Sequence, residues 1–261
     1  MPESGTRIQS VERALKILDV LSTGHEAGLP LHQISSEVGI NPSTARHLLG
    51  TMVAAQVVEQ DPSTKHYRLG IHLIELGNSA LSSTGLARIA RPFLEKLWDQ
   101  TGKNVTLLLF HGLMRTAIVN MATHETLSAR PAPIEINTMH ATGSGKLLLA
   151  YLPDQEFAQF MKQTRLDRFN QNTITDPQKL VEELRDIRQK GYAIDREEHG
   201  IGIRCIATPV RDASWRVVGC LDLVFPVFNV SEEQIAAWVA ASSSIAQELT
   251  SQLKAIGLIV H

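Results

Sequence analysis

Apolar residues recur at helical spacing through most of the first hundred positions. Residues 10–22 set Val11, Ala14, Leu15, Leu18 and Leu21 on one face, with Ser10 able to cap the N-terminus. Residues 31–38 align Leu31, Ile34 and Val38, and Gly39-Ile40-Asn41 breaks the pattern. A third helix opens at Asn41-Pro42, a good N-cap followed by proline at the first helical position, where a missing N–H costs nothing. It runs to about Ala54, with Ala45, Leu48, Leu49 and Met52 inward. Ser43, Arg46, His47 and Gly50 point outward, and Thr44 lies at the edge. A hairpin follows: a strand over 57–60, a turn over 61–65 and a return over 66–69. Residues 71–100 read as helical again, interrupted near Ser82-Ser83-Thr84-Gly85. The first half carries Ile74, Gly77 and Leu81 on one face; the second carries Leu86, Ile89, Ala90, Phe93, Leu94 and Leu97.

From residue 104 the texture changes. Strand-like runs over 105–110 and 116–121 flank a turn at His111-Gly112, and further strands are expected at 134–138, 192–197, 203–211 and 216–225. Helices are expected at 143–152, 154–163 and 177–190, the last with Asp176 as cap, Pro177 next and Gly191 as terminator. Ser231-Glu232-Glu233-Gln234 matches a capping box and opens a long final helix that buries Ile235, Trp238, Val239, Ile245, Leu249 and Leu253. Adjacent strands joined by short turns, with helices clustered between, predict an antiparallel α+β domain rather than βαβ repeats. The expected division is a winged helix-turn-helix over 1–70, linker or dimerisation helices over 71–100, and a sheet domain over 101–261.

Composition narrows the classes. The 261 residues suffice for one large domain or two small ones. At 43% hydrophobic and 20% charged, the chain is globular rather than disordered. Two cysteines exclude a disulfide framework and a four-cysteine zinc site. No basic segment followed by an apolar one opens the chain, and apolar runs such as 147–152 are too short to span a bilayer. The expectation is a reduced, cytoplasmic protein with no membrane partner.

The helix–turn–helix at 31–54 with its following wing suits double-stranded DNA, with the second helix in the major groove. Ser43, Thr44, Arg46 and His47 are the expected groove contacts, with Lys65 and Arg68 on phosphates. Charge complicates this. The net charge of the chain is −2, and residues 1–70 hold six Lys and Arg against seven Asp and Glu. Yet no acid occurs from Val38 to Val58, so the groove-facing surface carries no repelling charge. Few phosphate neutralisations mean weak binding by a single copy, which predicts a dimer or larger assembly on a palindromic operator.

Four motifs in order resemble the IclR family of bacterial transcriptional regulators. They are Leu31-His32-Gln33-Ile34 with the stretch from Val38 to Leu49, and the wing end Tyr67-Arg68-Leu69-Gly70. In the second domain they are the run from His140 to Ala150, then the run from Gly191 to Glu198 with Gly202-Ile203-Arg204-Cys205-Ile206-Ala207. The resemblance covers about residues 8–253. It implies a winged helix-turn-helix, a linker helix and a GAF-like effector-binding domain. It also implies homodimers, often paired into homotetramers, and control of catabolic operons by small organic acids; a repressor is expected, with activation the open alternative.

Gly143 and Ser144 open a helix whose free N–H groups and dipole favour an anion, and the resemblance makes them a carboxylate seat. This is no nucleotide loop, because Lys146 precedes Leu147 rather than Ser or Thr, and His140 stands where the first glycine belongs. The resemblance places Asp195, Ile203 and Cys205 along the same pocket. Asp222 and Val224 stand where members that bind simple acids tend to carry serines, and Phe225-Pro226-Val227-Phe228 replaces a glycine near the strand end. Strand alternation puts Cys220, Asp222 and Val224 on one face. An ionised Asp222 repels a carboxylate, so it points away, is protonated, or meets a donor on the ligand. A bulkier or donor-bearing effector, such as a hydroxylated aromatic or heterocyclic acid, fits the last case.

Two other classes compete. An enzyme using Cys205 with His199 lacks a recognisable nucleophile turn. An interaction module that has lost DNA contact conflicts with the intact 41–49 stretch. A metal reading of Asp195, Glu197, Glu198, His199, Cys205 and Asp222 fits no standard spacing. No catalytic residue, metal or cofactor is expected.

Overall fold

The computed structural model describes residues 8–22, 28–123 and 136–260, with backbone alone at 78 and 80–84. The chain divides into two compact units, Met1–Thr84 and Gly85–His261. The division falls where helix α4 (His72–Thr84) gives way to α5 (Leu86–Thr101), at Gly85 in the left-handed region with φ 62°.

The first unit holds α1 (Gln9–Ser22), α2 (Leu31–Val38), α3 (Pro42–Ala54), β1 (Val58–Gln60) and β2 (Tyr67–Leu69), followed by α4. Gly39, at φ 74°, ends α2 by turning its N–H back onto the Ser35 and Ser36 carbonyls. Asn41 opens α3, its side chain accepting from the Thr44 N–H. The hairpin pairs Val58 with Leu69, and Leu29 adds a bridge to Tyr67 through two backbone bonds of 2.9 and 2.8 Å. Ile17, Leu21, Leu29, Ile34, Leu49, Met52, Val58 and Tyr67 form the core. Gly70 closes the wing so tightly that a Cβ there would lie 2.1 Å from the Gln56 carbonyl oxygen.

Two expectations for α1 fail. The helix starts at Gln9, so Ser10 lies inside it rather than capping it. Its buried face is Ile17 and Leu21 flanked by Ala14 and Leu18, while Val11 and Leu15 are 53% and 57% exposed. The helix is apolar over more than one face, so periodicity alone chose the wrong row.

The second unit is built on a five-stranded antiparallel sheet in the order β4-β3-β7-β6-β5. Its strands are β3 (Asn104–His111), β4 (Met114–Met121), β5 (Ala193–Asp195), β6 (Ile203–Arg211) and β7 (Val217–Pro226). The helices are α5, α6 (Gly143–Tyr151), α7 (Asp154–Gln163), α8 (Pro177–Lys190) and α9 (Glu232–Ala255). One sheet face, with Val105, Leu107, Ile206, Leu221, Leu223 and Phe225, packs on α5 and α9. The other, with Leu108, Ala193, Ala207 and Cys220, packs on α6, α7 and α8. The unit is thus a helix–sheet–helix sandwich of the α+β class, and β7 is buried on both faces.

The local signals for α8 and α9 hold. Asp176 caps α8, left-handed Gly191 ends it, and Ser231 with Gln234 makes both bonds of a capping box on α9. The strand expected over 134–138 does not hold for its described part. Residues 136–138 begin a 3-10 helix, Ile136–Ala141, and 134–135 lie outside the described residues. That helix leads directly into α6, and the two pack so closely that a Cβ on Gly145 would lie 2.4 Å from the Met139 carbonyl oxygen.

Candidate functional site

In the first unit a cleft separates α3 from the wing. Arg46, Gly50 and Val53 line its helix side, and Gln60, Thr64, Lys65, His66 and Tyr67 line its wing side. Ser43, Arg46 and His47 are exposed on α3, with Thr44 half-buried. Ser43 is partly engaged, its hydroxyl donating to Asn41 Oδ1 at 2.9 Å. Arg68 is engaged more fully. Its Nε and Nη2 donate to Glu59 Oε2 at 3.1 and 3.0 Å on the exposed face of the wing. Asp61, at the wing turn, accepts from the Ser63 hydroxyl and from the Ser63 and Thr64 N–H groups, which hold its carboxyl well below the usual carboxylate range.

In the second unit the strand register gathers residues far apart in sequence. Asp195 lies beside Cys205, Cys205 beside Val224, and Val224 beside Asn104. In the next row Asp222 lies between Ala207 and Thr106. These residues and Ile203 share the sheet face that meets α6. Contact with α6 is close: a Cβ on Gly143 would lie 2.8 Å from Cys205 Sγ. The Cys205 thiol donates to Asp222 Oδ1 at 2.7 Å. Gly143, Ser144, Asp195, Cys205, Asp222 and Val224 are all buried, and Ile203 is half-buried. The structure therefore brings all seven candidate positions into one neighbourhood.

Two further charged residues stand there. Arg115 on β4 is only 5% exposed. Its Nη1 donates to Thr142 Oγ1 and Ser144 Oγ, each at 2.9 Å, and its Nη2 reaches Thr138 Oγ1 at 3.4 Å. Its Nε has no partner among the described residues. Lys146 is wholly buried and donates to Glu198 Oε1 at 2.6 Å, the Ile194 carbonyl at 2.8 Å and Glu183 Oε1 at 2.9 Å.

Burial sets the protonation behaviour of this face. It pulls the Arg115 guanidinium down, opposed by the charge of Asp222. It pushes Asp222 up to about 6 against the Cys205 hydrogen bond and Arg115, and Asp195 up to about 7 despite a 2.7 Å bond from the Glu198 N–H. It also drives both thiols well above their ordinary value, so Cys205 stays a neutral donor. Among the described residues no group of three His, Cys, Asp or Glu side chains is arranged to hold a metal ion, and no helix is long and apolar enough to cross a membrane.

Family models decide the identity. The model for the bacterial transcriptional regulator IclR C-terminal domain matches residues 78–251, and that for the IclR helix-turn-helix domain matches residues 10–62. The chain belongs to the IclR family. This IclR-family chain is 34% identical over 248 residues to the HTH-type transcriptional regulator BhcR of Paracoccus denitrificans, covering 95% of this chain and 88% of that one. It is 28% identical over 253 residues to the transcriptional repressor IclR of Escherichia coli K12, covering 95% and 91%. Its fold matches an IclR transcriptional regulator of Silicibacter sp. TM1040 with a TM-score of 0.82 at 22% identity, over 94% of this chain and 96% of that one. It also matches an IclR homologue of Microbacterium hydrocarbonoxydans, solved with 4-hydroxybenzoate, with a TM-score of 0.73 at 22% identity, over 94% and 99%.

This IclR-family protein is a DNA-binding transcriptional regulator with an effector domain, and its relatives are regulators rather than enzymes. The Cys205 thiol donates to the Asp222 carboxylate, and burial keeps it protonated. Sequence reasoning missed Arg115 and Lys146. Lys146 carried a signal, a lone cation inside the apolar run 143–151. Arg115 carried a weaker one: at the start of a hairpin strand an arginine normally faces water.

Proposed function

We propose that this regulator is a cytoplasmic repressor of a catabolic operon that leaves its operator on binding a small organic acid bearing a hydroxyl or other donor. The observation that carries the reading is Asp222 and Cys205 set against Gly143 and Ser144 at the start of α6. A helix start favours the ligand's anionic end, and a carboxylate beneath it favours a donor on the same ligand. Gly143, Ser144, Asp195, Ile203, Cys205, Asp222 and Val224 line this effector site. Hydroxylated aromatic acids belong to the class, and 4-hydroxybenzoate, held by the Microbacterium neighbour, is the first to try.

On the DNA side, Ser43, Thr44, Arg46 and His47 enter the major groove of a palindromic operator, and Lys65 meets phosphate across the cleft. Arg68 reaches phosphate only by leaving Glu59, so its share is smaller. Residues 1–70 form the DNA-binding domain and α4 the linker; α5, expected within a 71–100 linker, goes with the effector domain because its buried face packs on the sheet. A homodimer or homotetramer supplies the affinity that few phosphate contacts leave short. Gel shifts on DNA upstream of the neighbouring genes test this. Arg46→Ala weakens binding by about 1–3 kcal/mol, roughly five- to 150-fold. Undiminished binding by that variant removes Arg46 from the interface.

A further inference from the structure

We propose that Arg115 is the anion-binding group of the effector site. It takes the effector's carboxylate on its Nε–Nη2 edge while Asp222 accepts a hydrogen bond from a hydroxyl or amine of the same molecule. The effector is then a hydroxy- or amino-substituted carboxylate. The inference rests on the effector site proposed above and names what that site recognises.

The guanidinium is buried without a direct carboxylate partner among the described residues. Its Nη1 is taken by two hydroxyls, but its Nε has no partner and its Nη2 only one long bond to Thr138. A buried donor left unsatisfied costs about 1–3 kcal/mol, more when charged. The two under-used nitrogens share one edge of the planar group, the side-on edge that meets both oxygens of a carboxylate in parallel. Thr142 and Ser144 hold the opposite edge and fix the guanidinium over the first turn of α6. That turn contributes its own partial positive charge. A helix N-terminus and a buried cation therefore converge on one place.

Asp222 supplies the opposite pole. It lies two strands from Arg115 in the same sheet, within its electrostatic range. The Cys205 thiol satisfies one oxygen of Asp222, and its buried carboxylate repels a ligand that carries only negative charge. A ligand with a carboxylate at one end and a donor at the other satisfies both poles. A simple apolar acid leaves Asp222 desolvated and unpaired. Arg115 bonds Ser144, whose neighbour Gly143 packs on Cys205, and Cys205 bonds Asp222, so both poles border the first turn of α6. The departure from serine at position 222 thus excludes plain acids instead of abolishing acid binding.

Matched probes on the full chain test this by titration calorimetry and thermal shift. The aromatic set is 4-hydroxybenzoate, 4-hydroxybenzamide and benzoate; the aliphatic set is lactate, lactamide and propionate, with alanine as the amine. At least one hydroxy or amino acid binds, its amide binds about 30-fold more weakly or worse, and the deoxy acid is about tenfold weaker. Arg115→Gln loses acid binding, Arg115→Lys recovers part of it, and Asp222→Val loses the preference for the donor. An amide that binds as well as its acid overturns the proposal. So does undiminished acid binding by Arg115→Gln, or failure of every carboxylate to bind the wild type. If Arg115→Gln does not fold, Arg115→Lys decides, because it keeps the charge but loses the side-on edge: acid binding as tight as in the wild type overturns the proposal. Gel shifts on the same samples judge the regulator separately: operator binding relieved by an acid that Arg115→Gln still binds keeps that reading and sinks this one.

Discussion

Lys146 shows how much one side chain inside α6 holds together. Its ammonium ties α6 to Glu183 on α8, to the Ile194 carbonyl in β5 and to Glu198 just beyond that strand. Removing it strands Glu198, which is 3% exposed, as a buried charge without its cation. Lys146→Ala therefore lowers the stability of the second unit by about 3–5 kcal/mol in chemical denaturation, and a loss below about 1 kcal/mol means Glu198 has found another partner. The side-chain scale was the least legible in the sequence. The face of Asp222 and Val224 followed from alternation along a long strand. The role of Arg115 did not, because it depends on Thr138, Thr142 and Ser144, which the chain delivers more than twenty residues later.

Elements were more legible where a side chain closes the local backbone. Asn41-Pro42 opens α3, Asp176-Pro177 opens α8, and Ser231 with Gln234 opens α9, each where the sequence places it. Asn41 also receives the Ser43 hydroxyl, so the cap orders the first turn of α3 as well as satisfying Thr44. Asn41→Ala costs the first unit about 1 kcal/mol, seen as faster hydrogen exchange at the Thr44 amide and a lower unfolding midpoint. An unchanged Thr44 exchange rate means that water replaces the cap at no cost. Elements failed where distant packing decides. Residues 136–138 have a strand-like composition but open a 3-10 helix that packs directly against α6. The buried row of α1 is likewise set by what α2, α3 and the wing present to it.

At the scale of the whole molecule, the antiparallel sheet and the helical layers were legible from changes of period along the chain, while the break between the two units falls at Gly85, inside the stretch expected as a linker. What composition could not show is that the second unit encloses acids at a cost that depends on pH. Burial raises Asp222 to about 6 and Asp195 to about 7 in the folded protein, against 3.8 for the free group. Between those values the folded state binds more protons than the unfolded one, so stability falls as pH rises. The loss begins near pH 4, is complete slightly above pH 7, and is absent below the unfolded value. Asp222→Asn keeps a carbonyl oxygen for the Cys205 thiol but cannot ionise. Its stability relative to wild type therefore climbs by about 2 kcal/mol between about pH 4 and 8 in denaturant titrations. A difference independent of pH means that the carboxylate reaches water.

The contact between Gly143 and Cys205 constrains what can be substituted there. A Cβ at 143 would lie 2.8 Å from the sulfur of 205. A methyl added at 143 therefore pushes the Cys205 thiol from its place beside Asp222, and a second exchange, Cys205→Ala, clears that clash.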